Sequence, residues 1–440
     1  MFISSEYKLS KADGKLYSII SKEYIGKSIL HIGDNEHSDC TMAEKNGIKS
    51  YKIMSAYDML CASAVAYISY ETKTLGDRLL LANVLAKFFN SPFTLNKTLG
   101  RVPLNTYQKI AYWCFLPITI SFMQFIIKEI EKRVDKKTAI LFTSRDGYFL
   151  YKLYRALNKN KSAKAFYFYT SRKAATGAAS VTEDDIAVVC SDLKDVGTRN
   201  LKTILEERFQ IPVPDEFDTD IDETVKMYGE NNLLQKIKPL TNEIIEASVK
   251  RRSNYQKYIQ KSGIADFDNY VCIDTVSRGT VTYAIKRITG KPTLLLACFG
   301  HSLPNSYIPK HSDYRLLFGN TNCCSKLASA TQFMEMIYAS QEGQCLGFDK
   351  SGDVLFDENS KYNPLMLKEV QGALNEGVLD YMRNEHISHE LSYEFIEAMF
   401  CVLQDKNSSI SDYVKDGFVF FDSLSDNVRK NIMKDEIDVD

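Results

Sequence analysis

Three short apolar runs, each emptying into a polar loop that carries Ser-Arg, constrain this chain more tightly than anything else in it. Residues 139–142 lead into Thr143-Ser144-Arg145-Asp146-Gly147, residues 165–169 into Thr170-Ser171-Arg172-Lys173, and residues 270–273 into Asp274-Thr275-Val276-Ser277-Arg278-Gly279-Thr280. Apolar runs of this length, bounded by turns and interleaved with helical periodicity, predict strands buried on both faces of a parallel sheet. A fourth run at 293–299 and a long helical pattern at 243–261 extend the alternation. The expectation is therefore an α/β, doubly wound, Rossmann-like domain over 136–357, with ligands at the carboxyl ends of its strands. A hairpin is predicted at 347–356, and 358–440 reads as a helical tail.

The first 58 residues show a shorter β-α-β alternation: a helical stretch at 11–23, a strand at 28–32, a loop at 33–39, a helix from Thr41 and a strand at 49–53. Residues 59–135 read as a helical connector with loops at Pro92 and Pro103. Its segment 111–127 is apolar but contains Pro117, Thr119, Ser121 and Gln124, and it falls short of the ~20 clean residues that a membrane span needs. A buried helix is the expectation, with membrane contact as the lesser alternative. The 440 residues allow two or three domains, and 55 basic residues against 56 acidic ones leave no net field to draw nucleic acid or an anionic membrane.

Ten cysteines are scattered without a CxxC pair, which reads as reduced, mostly buried thiols. The vicinal Cys323-Cys324 reads as two packing residues. Residues 1–6 lack a basic segment leading into an apolar core, so no secretory signal is expected. The expected location is cytoplasmic, with peripheral membrane association as an alternative.

The loops carry the chemistry. Ser144-Arg145-Asp146-Gly147, between a strand and a helix, suits an anion, because free backbone N–H groups, the positive helix end and a guanidinium fork converge there. A capped turn with an Arg-Asp surface pair fits that loop equally well. The repetition at Ser171-Arg172 and Ser277-Arg278 favours the anion: Arg145, Arg172 and Arg278 together would hold a diphosphate or sugar phosphate, with Asp146 and Asp274 for a metal or a sugar hydroxyl. Near the start, Asp34 and Asp39 flank another strand-end loop and suit a hard cation such as Mg²⁺. The plainer reading there is an Asp-rich turn whose Ser38 or Asp39 caps a helix.

Residues 29–48, with Gly33-Asp34, Asp39, Ala43 and Gly47-Ile48 in place, resemble the fourth motif of haloacid-dehalogenase-like hydrolases. Residues 4–7 together with Lys11 and Gly14 look like the third. That resemblance implies a phosphate clamp at Lys11 and metal-site roles for Asp34 and Asp39. The family also needs an early DxD nucleophile motif and a Ser or Thr motif, and neither fits in the ten residues before Lys11. Residues 1–58 are thus expected to be a partial, Rossmann-like half-domain of that family, from a truncated or split gene product or kept only as structure.

A second resemblance runs over roughly 105–357. Ser144-Arg145-Asp146-Gly147, then Tyr169-x-Ser171-Arg172, then Asp274 with Gly279-Thr280, then Ala339-Ser340-Gln341-Glu342-Gly343 is similar to a module found behind such hydrolase domains in bacterial capsule and O-antigen loci. Some two-domain members look like transferases that move phosphoribose from phosphoribosyl diphosphate to a growing glycan. The resemblance implies that residues 277–280 cradle the 5-phosphate, that Asp274 faces the ribose hydroxyls, and that residues 144–147 bind the leaving diphosphate.

The expected catalytic residues are Asp146, Asp274 and Lys11. Ser144, Arg145, Gly147, Ser171, Arg172, Ser277, Arg278, Gly279 and Thr280 are expected to bind substrate, Asp34 and Asp39 a metal, with Mg²⁺ as cofactor. The expected partners are a sugar-phosphate or diphosphate donor, a glycan acceptor, and the missing hydrolase half or other polysaccharide-assembly proteins, with neither nucleic acid nor a transmembrane segment. Two alternatives stand beside the transferase: a phosphohydrolase component completed by an upstream segment or a partner, and a scaffold without catalysis. Three further signals read as bland: 386–390 as a polar helix face, the basic run at 250–252 as a solvated surface, and the acidic run at 183–185 as a loop.

Overall fold

The computed structural model describes residues 4–133, 135, 137–158, 164–190, 200–221, 224, 233–300, 313–321, 326–383, 389–422 and 428–435. Near the N-terminus, Gly14 sits at φ 75° and the helix Lys15–Glu23 follows it, so the helix begins about one turn after the predicted Lys11. Strand β1 (Leu30–Gly33) pairs in parallel with β2 (Lys49–Lys52). The expected loop between them is cut short at Asn35. Its side chain accepts the Ser38 N–H at 2.9 Å, a cap that starts a helical turn from Glu36. Tyr17, Ala43 and Ile48 form the small core of this unit.

The connector is helical as expected, but Pro103 lies in a strand, β3 (Val102–Leu104), which pairs in parallel with Ser408–Ile410 (β11) of the tail. A proline is tolerated there because the sheet has only these two strands and both are edges. The helical stretch Tyr107–Arg133 has a mean hydropathy of 1.8 over its most apolar window, and 89% of that window is buried inside the protein. Segment 111–127 is accordingly a core helix.

The main sheet holds β4 (Thr138–Thr143), β5 (Lys164–Phe168), β6 (Asn269–Ser277), β7 (Thr293–Gly300) and β8 (Asp313–Leu316), all parallel in the order β5-β4-β6-β7-β8. Helices follow β4, β5 and β6, so the fold is the Rossmann-like α/β architecture that the apolar runs predicted. β4 is buried at every position, as a strand covered by helices on both faces should be. β8 was not anticipated: its exposed and half-buried residues carry no continuous apolar run. Strands β9 (Gln344–Phe348) and β10 (Val354–Asp357) form the predicted hairpin.

The tail contains the helices Pro364–Arg383 and Tyr393–Phe400, but it is not purely helical. Besides β11 it holds β12 (Val419–Asp422) and β13 (Val428–Asn431), an antiparallel pair. One apolar core takes in Trp113, Phe115 and Phe122 of the connector, Phe142 and Phe149 of the sheet domain, and Leu374 and Tyr381 of the tail. Burying each such side chain contributes roughly 1.5–3 kcal/mol, so these segments hold one another in place.

The described residues between 172 and 261 supply a helical excursion with its own core of Ile186, Leu205, Phe209 and Ile244. Two readings are corrected there. Residues 183–185 open the helix Glu183–Cys190, and Asp185 is buried, accepting from Arg287 Nε at 2.6 Å. In the basic run, Arg251 donates to the Phe209 and Gln210 carbonyls and Arg252 to the Arg287 carbonyl, so both fasten neighbouring elements rather than facing water. The described cysteines are free thiols, buried except for Cys61. The pair Cys323-Cys324 and residues 386–388 lie outside the described residues.

Candidate functional site

The carboxyl ends of β4, β5 and β6 meet around a cavity of about 190 Å³. The register places Thr143 beside Phe168 and Phe142 beside Ile273, so the three strands end level with one another. Serine hydroxyls then tie the loops together. Ser144 donates to the Thr170 carbonyl at 2.7 Å and accepts the Thr170 N–H at 2.9 Å. Ser171 accepts the Ala174 N–H at 3.0 Å, capping the helix Arg172–Ala179, and donates to the Cys345 carbonyl at 2.6 Å. Ser277 accepts the Gly279 N–H at 3.0 Å. These three side chains build the frame of the site.

Gly147 opens the helix Gly147–Leu157 pressed against β4: a Cβ there would stand 2.8 Å from the Phe142 carbonyl carbon. The preceding Ser144–Arg145 peptide is cis. Arg145 lines the cavity and is braced from behind, donating to the Ser360 carbonyl at 2.8 Å and to Tyr362 Oη at 2.6 Å. Arg172 lines the same cavity; its carbonyl accepts from the Thr176 hydroxyl at 2.8 Å, while its guanidinium makes no hydrogen bond or ion pair with another described residue and acts on Asp274 and Glu335 only through its charge. Lys173, also on the wall, pairs with Glu207 at 2.8 Å.

Asp146 and Asp274 face the cavity. The Thr275 hydroxyl donates to Asp146. Burial pushes the Asp146 carboxyl up, against the pull of that hydrogen bond and of Arg145. Burial and the neighbouring Asp146 push Asp274 up to about 7. A third acid, Glu335 on the helix Ala330–Ile337, is pushed up to about 8 by burial first and Asp146 second, with Arg172 and Arg145 opposing. Carboxyls crowded in this way respond strongly to any charge brought among them.

Most of the predicted residues on the first two loops therefore converge with Asp274, whereas Ser277, Arg278, Gly279 and Thr280 are not on the cavity wall. Ser144, Arg145, Asp146, Ser171, Arg172 and Asp274 line one cavity, and Gly147 shapes it. Arg278, only 9% exposed, is not on its wall. Gly279 at φ 79° turns the chain into the helix Thr280–Thr289, and the Thr280 hydroxyl is buried with no hydrogen-bond partner. Arg208, on the helix Leu201–Phe209, stands on the wall instead.

Glu335, Arg208, Glu207 and Lys173 were missed by the sequence reading. Glu335 left one trace: it is a lone acid among Phe333, Met334, Met336 and Ile337, all buried. An acid in such company must point into something polar.

The N-terminal constellation is a separate cluster. Lys11 Nζ lies 2.5 Å and His31 Nε2 3.2 Å from Asp39 Oδ1, and the Asn35 N–H donates to Asp39 Oδ2 at 3.1 Å. Burial alone would raise the Asp39 carboxyl; the bonds from Lys11, Asn35 and His31 outweigh it and bring it down to about 2. Asp34 is exposed. Both oxygens of Asp39 are already engaged, so this arrangement is an ion pair and does not present two open carboxylates to a cation. Among the described residues, no cluster of three or more His, Cys, Asp or Glu side chains is placed to hold a metal ion.

No protein-family model matches the chain, and a comparison with curated proteins gives no match.

Proposed function

We propose that this chain is a transferase of bacterial surface-polysaccharide assembly, moving a sugar or sugar phosphate from a diphosphate-bearing donor, such as phosphoribosyl diphosphate, to a glycan acceptor. One observation carries the reading. Arg172, whose guanidinium makes no hydrogen bond or ion pair with a described residue, faces the same cavity as Arg145, Asp146, Asp274 and Glu335, at the strand ends where α/β folds bind ligands.

The donor's diphosphate would lie against Arg145 and Arg172, whose guanidinium forks match its oxygens. Asp274 would face the sugar hydroxyls. A Mg²⁺ ion uses only one or two protein carboxylates beside substrate oxygens and water, which fits Asp146 and Asp274 better than a preformed protein cage. When bound, it would neutralise charge on the leaving diphosphate. The transfer breaks the bond from the anomeric carbon to the diphosphate oxygen and forms one to the acceptor oxygen, while the acceptor proton passes to an ionised carboxylate on the wall. Positioning and charge stabilisation supply most of the acceleration in such a step.

The test is to incubate the full chain with phosphoribosyl diphosphate, Mg²⁺ and lipid-linked or soluble glycan acceptors and to measure released diphosphate. Release that depends on acceptor and falls with Arg172→Ala supports the reading. No turnover with any diphosphate-activated sugar would sink it.

A second reading rests on the Lys11–Asp39 pair, which joins residues 28 positions apart. In that reading residues 1–58 belong to a phosphohydrolase completed by another segment. Hydrolysis of p-nitrophenyl phosphate with Mg²⁺, lost in Lys11→Ala, would support it; an inactive chain that stays inactive when the upstream coding sequence is restored would end it.

A further inference from the structure

Behind the wall of the first cavity lies a second, of about 430 Å³, lined by Tyr148, Phe149, Lys152, Gln341, Glu342, Lys368, Gln371, Gly372 and Asn375. Two stretches of chain separate the cavities. Asp146 borders the first and Tyr148, two residues on, the second; Gln344 borders the first and Glu342 the second. Ser340 locks the stretches together, its N–H donating to the Arg145 carbonyl at 3.2 Å. The two cavities are thus neighbours, lined by residues two positions apart along each stretch.

The chemistry of its lining is that of a site for polyhydroxylated molecules. The Gln371 amide is fixed by donating to the Ile337 and Ala339 carbonyls at 3.0 and 2.8 Å, which leaves its oxygen as an acceptor of set direction. Lys152, Lys368, Gln341 and Asn375 are exposed and supply donors. Glu342 lines the cavity, and its Oε2 is buried with no hydrogen-bond partner. A carboxylate oxygen shielded from water without a donor is costly, and a ligand hydroxyl would satisfy it. Tyr148 adds an aromatic wall that continues through Tyr167, at 5.3 Å between ring centroids, to Tyr169 at 5.0 Å. Two ammonium groups against one carboxylate, beside planar amides and a ring, suit an uncharged sugar unit better than an apolar ligand or a polyanion.

We propose that this second cavity binds a neutral sugar unit of the acceptor glycan, one remote from the reacting hydroxyl, on the far side of the wall it shares with the donor cavity. The acceptor role rests on the transferase reading given above; saccharide binding in the cavity does not.

The test uses the intact chain and ligand-observed magnetic resonance with a panel of neutral di- and trisaccharides, alongside titration with inorganic diphosphate. At least one saccharide is expected to bind. Asn375→Leu and Lys368→Met, at exposed positions that should leave folding intact, are each expected to weaken it about tenfold, the effect of losing a hydrogen bond to a charged or fixed partner. Diphosphate binding should be unchanged in both variants. No saccharide binding by the wild type, or binding indifferent to both substitutions, overturns the proposal. If saccharide binds this way while diphosphate does not bind at all, the transferase reading fails and the sugar site stands.

Discussion

The guanidinium carbon of Arg145 lies 4.2 Å from the ring centroid of Tyr362, and an Nη of the same group donates to Tyr362 Oη at 2.6 Å. A residue at the end of β4 is thereby aimed by one 217 positions later in the chain. Tyr362→Phe keeps the ring and removes the oxygen, a loss of about 0.5–1.5 kcal/mol of fixation. Inorganic diphosphate should bind the variant about 3- to 10-fold more weakly, by titration calorimetry, which would count Tyr362 as a positioning residue. Unchanged affinity would mean that Arg145 needs no brace.

Arg172 separates stability from function. With no guanidinium hydrogen bond or ion pair to lose, only attraction for Asp274 and Glu335, Arg172→Ala should lower the unfolding free energy by no more than about 1 kcal/mol. Diphosphate affinity should fall about 10- to 100-fold, the worth of a charge-assisted hydrogen bond. A large stability loss with affinity intact would reverse the assignment.

Glu335 makes stability depend on pH. Its carboxyl is pushed up to about 8, from an ordinary value of 4.5, by burial and by Asp146. Between these values the folded chain holds a proton that the unfolded chain has released, so stability is greatest at the acidic end and is lost as pH rises towards 8. Asp274, pushed up to about 7, acts in the same sense. Glu335→Gln cannot ionise, and its melting temperature should therefore fall less than the parent's between pH 5 and pH 8. Parallel melting curves across that range would show that Glu335 keeps an ordinary carboxyl.

Asp77 joins connector to tail. It completes the capping box of the helix Leu75–Phe88 with Thr74, and it also accepts from the Ser392 N–H at 2.9 Å and the Ser392 hydroxyl at 2.8 Å. Asp77→Ala removes a cap and leaves those donors unsatisfied, so denaturant titration should give a loss of about 2–4 kcal/mol. A loss under ~0.5 kcal/mol would mean that the two segments are held by packing alone.

Strands β4, β5, β6 and β7 and their loops could be read from the chain because each signal is local: four or five apolar residues, then a polar turn, then helical spacing. The rest of the site is not local. Glu335 arrives on a separate helix, Arg208 from the helical excursion, and Tyr362 from beyond the hairpin, and apart from the apolar neighbours of Glu335 nothing near them in sequence announces the encounter. Arg278 shows the limit of spacing. Its Ser-Arg context matches those of Arg145 and Arg172, but spacing says nothing of direction: Val276 and Val281 on either side line the cavity and Arg278 does not. Strand β3 was hidden because Pro103 argues against a strand until its partner, Ser409, appears from the far end of the chain.

The brace on Arg145 also bears on how the molecule is made. A growing chain that has just completed β10 already contains every strand of the main sheet, but it lacks the Ser360 carbonyl and the Tyr362 ring that hold the arginine. Contacts so distant in sequence form late, after the local ones have repaid their loop entropy. The brace that aims Arg145 is thus among the last parts of the anion cavity to be synthesised.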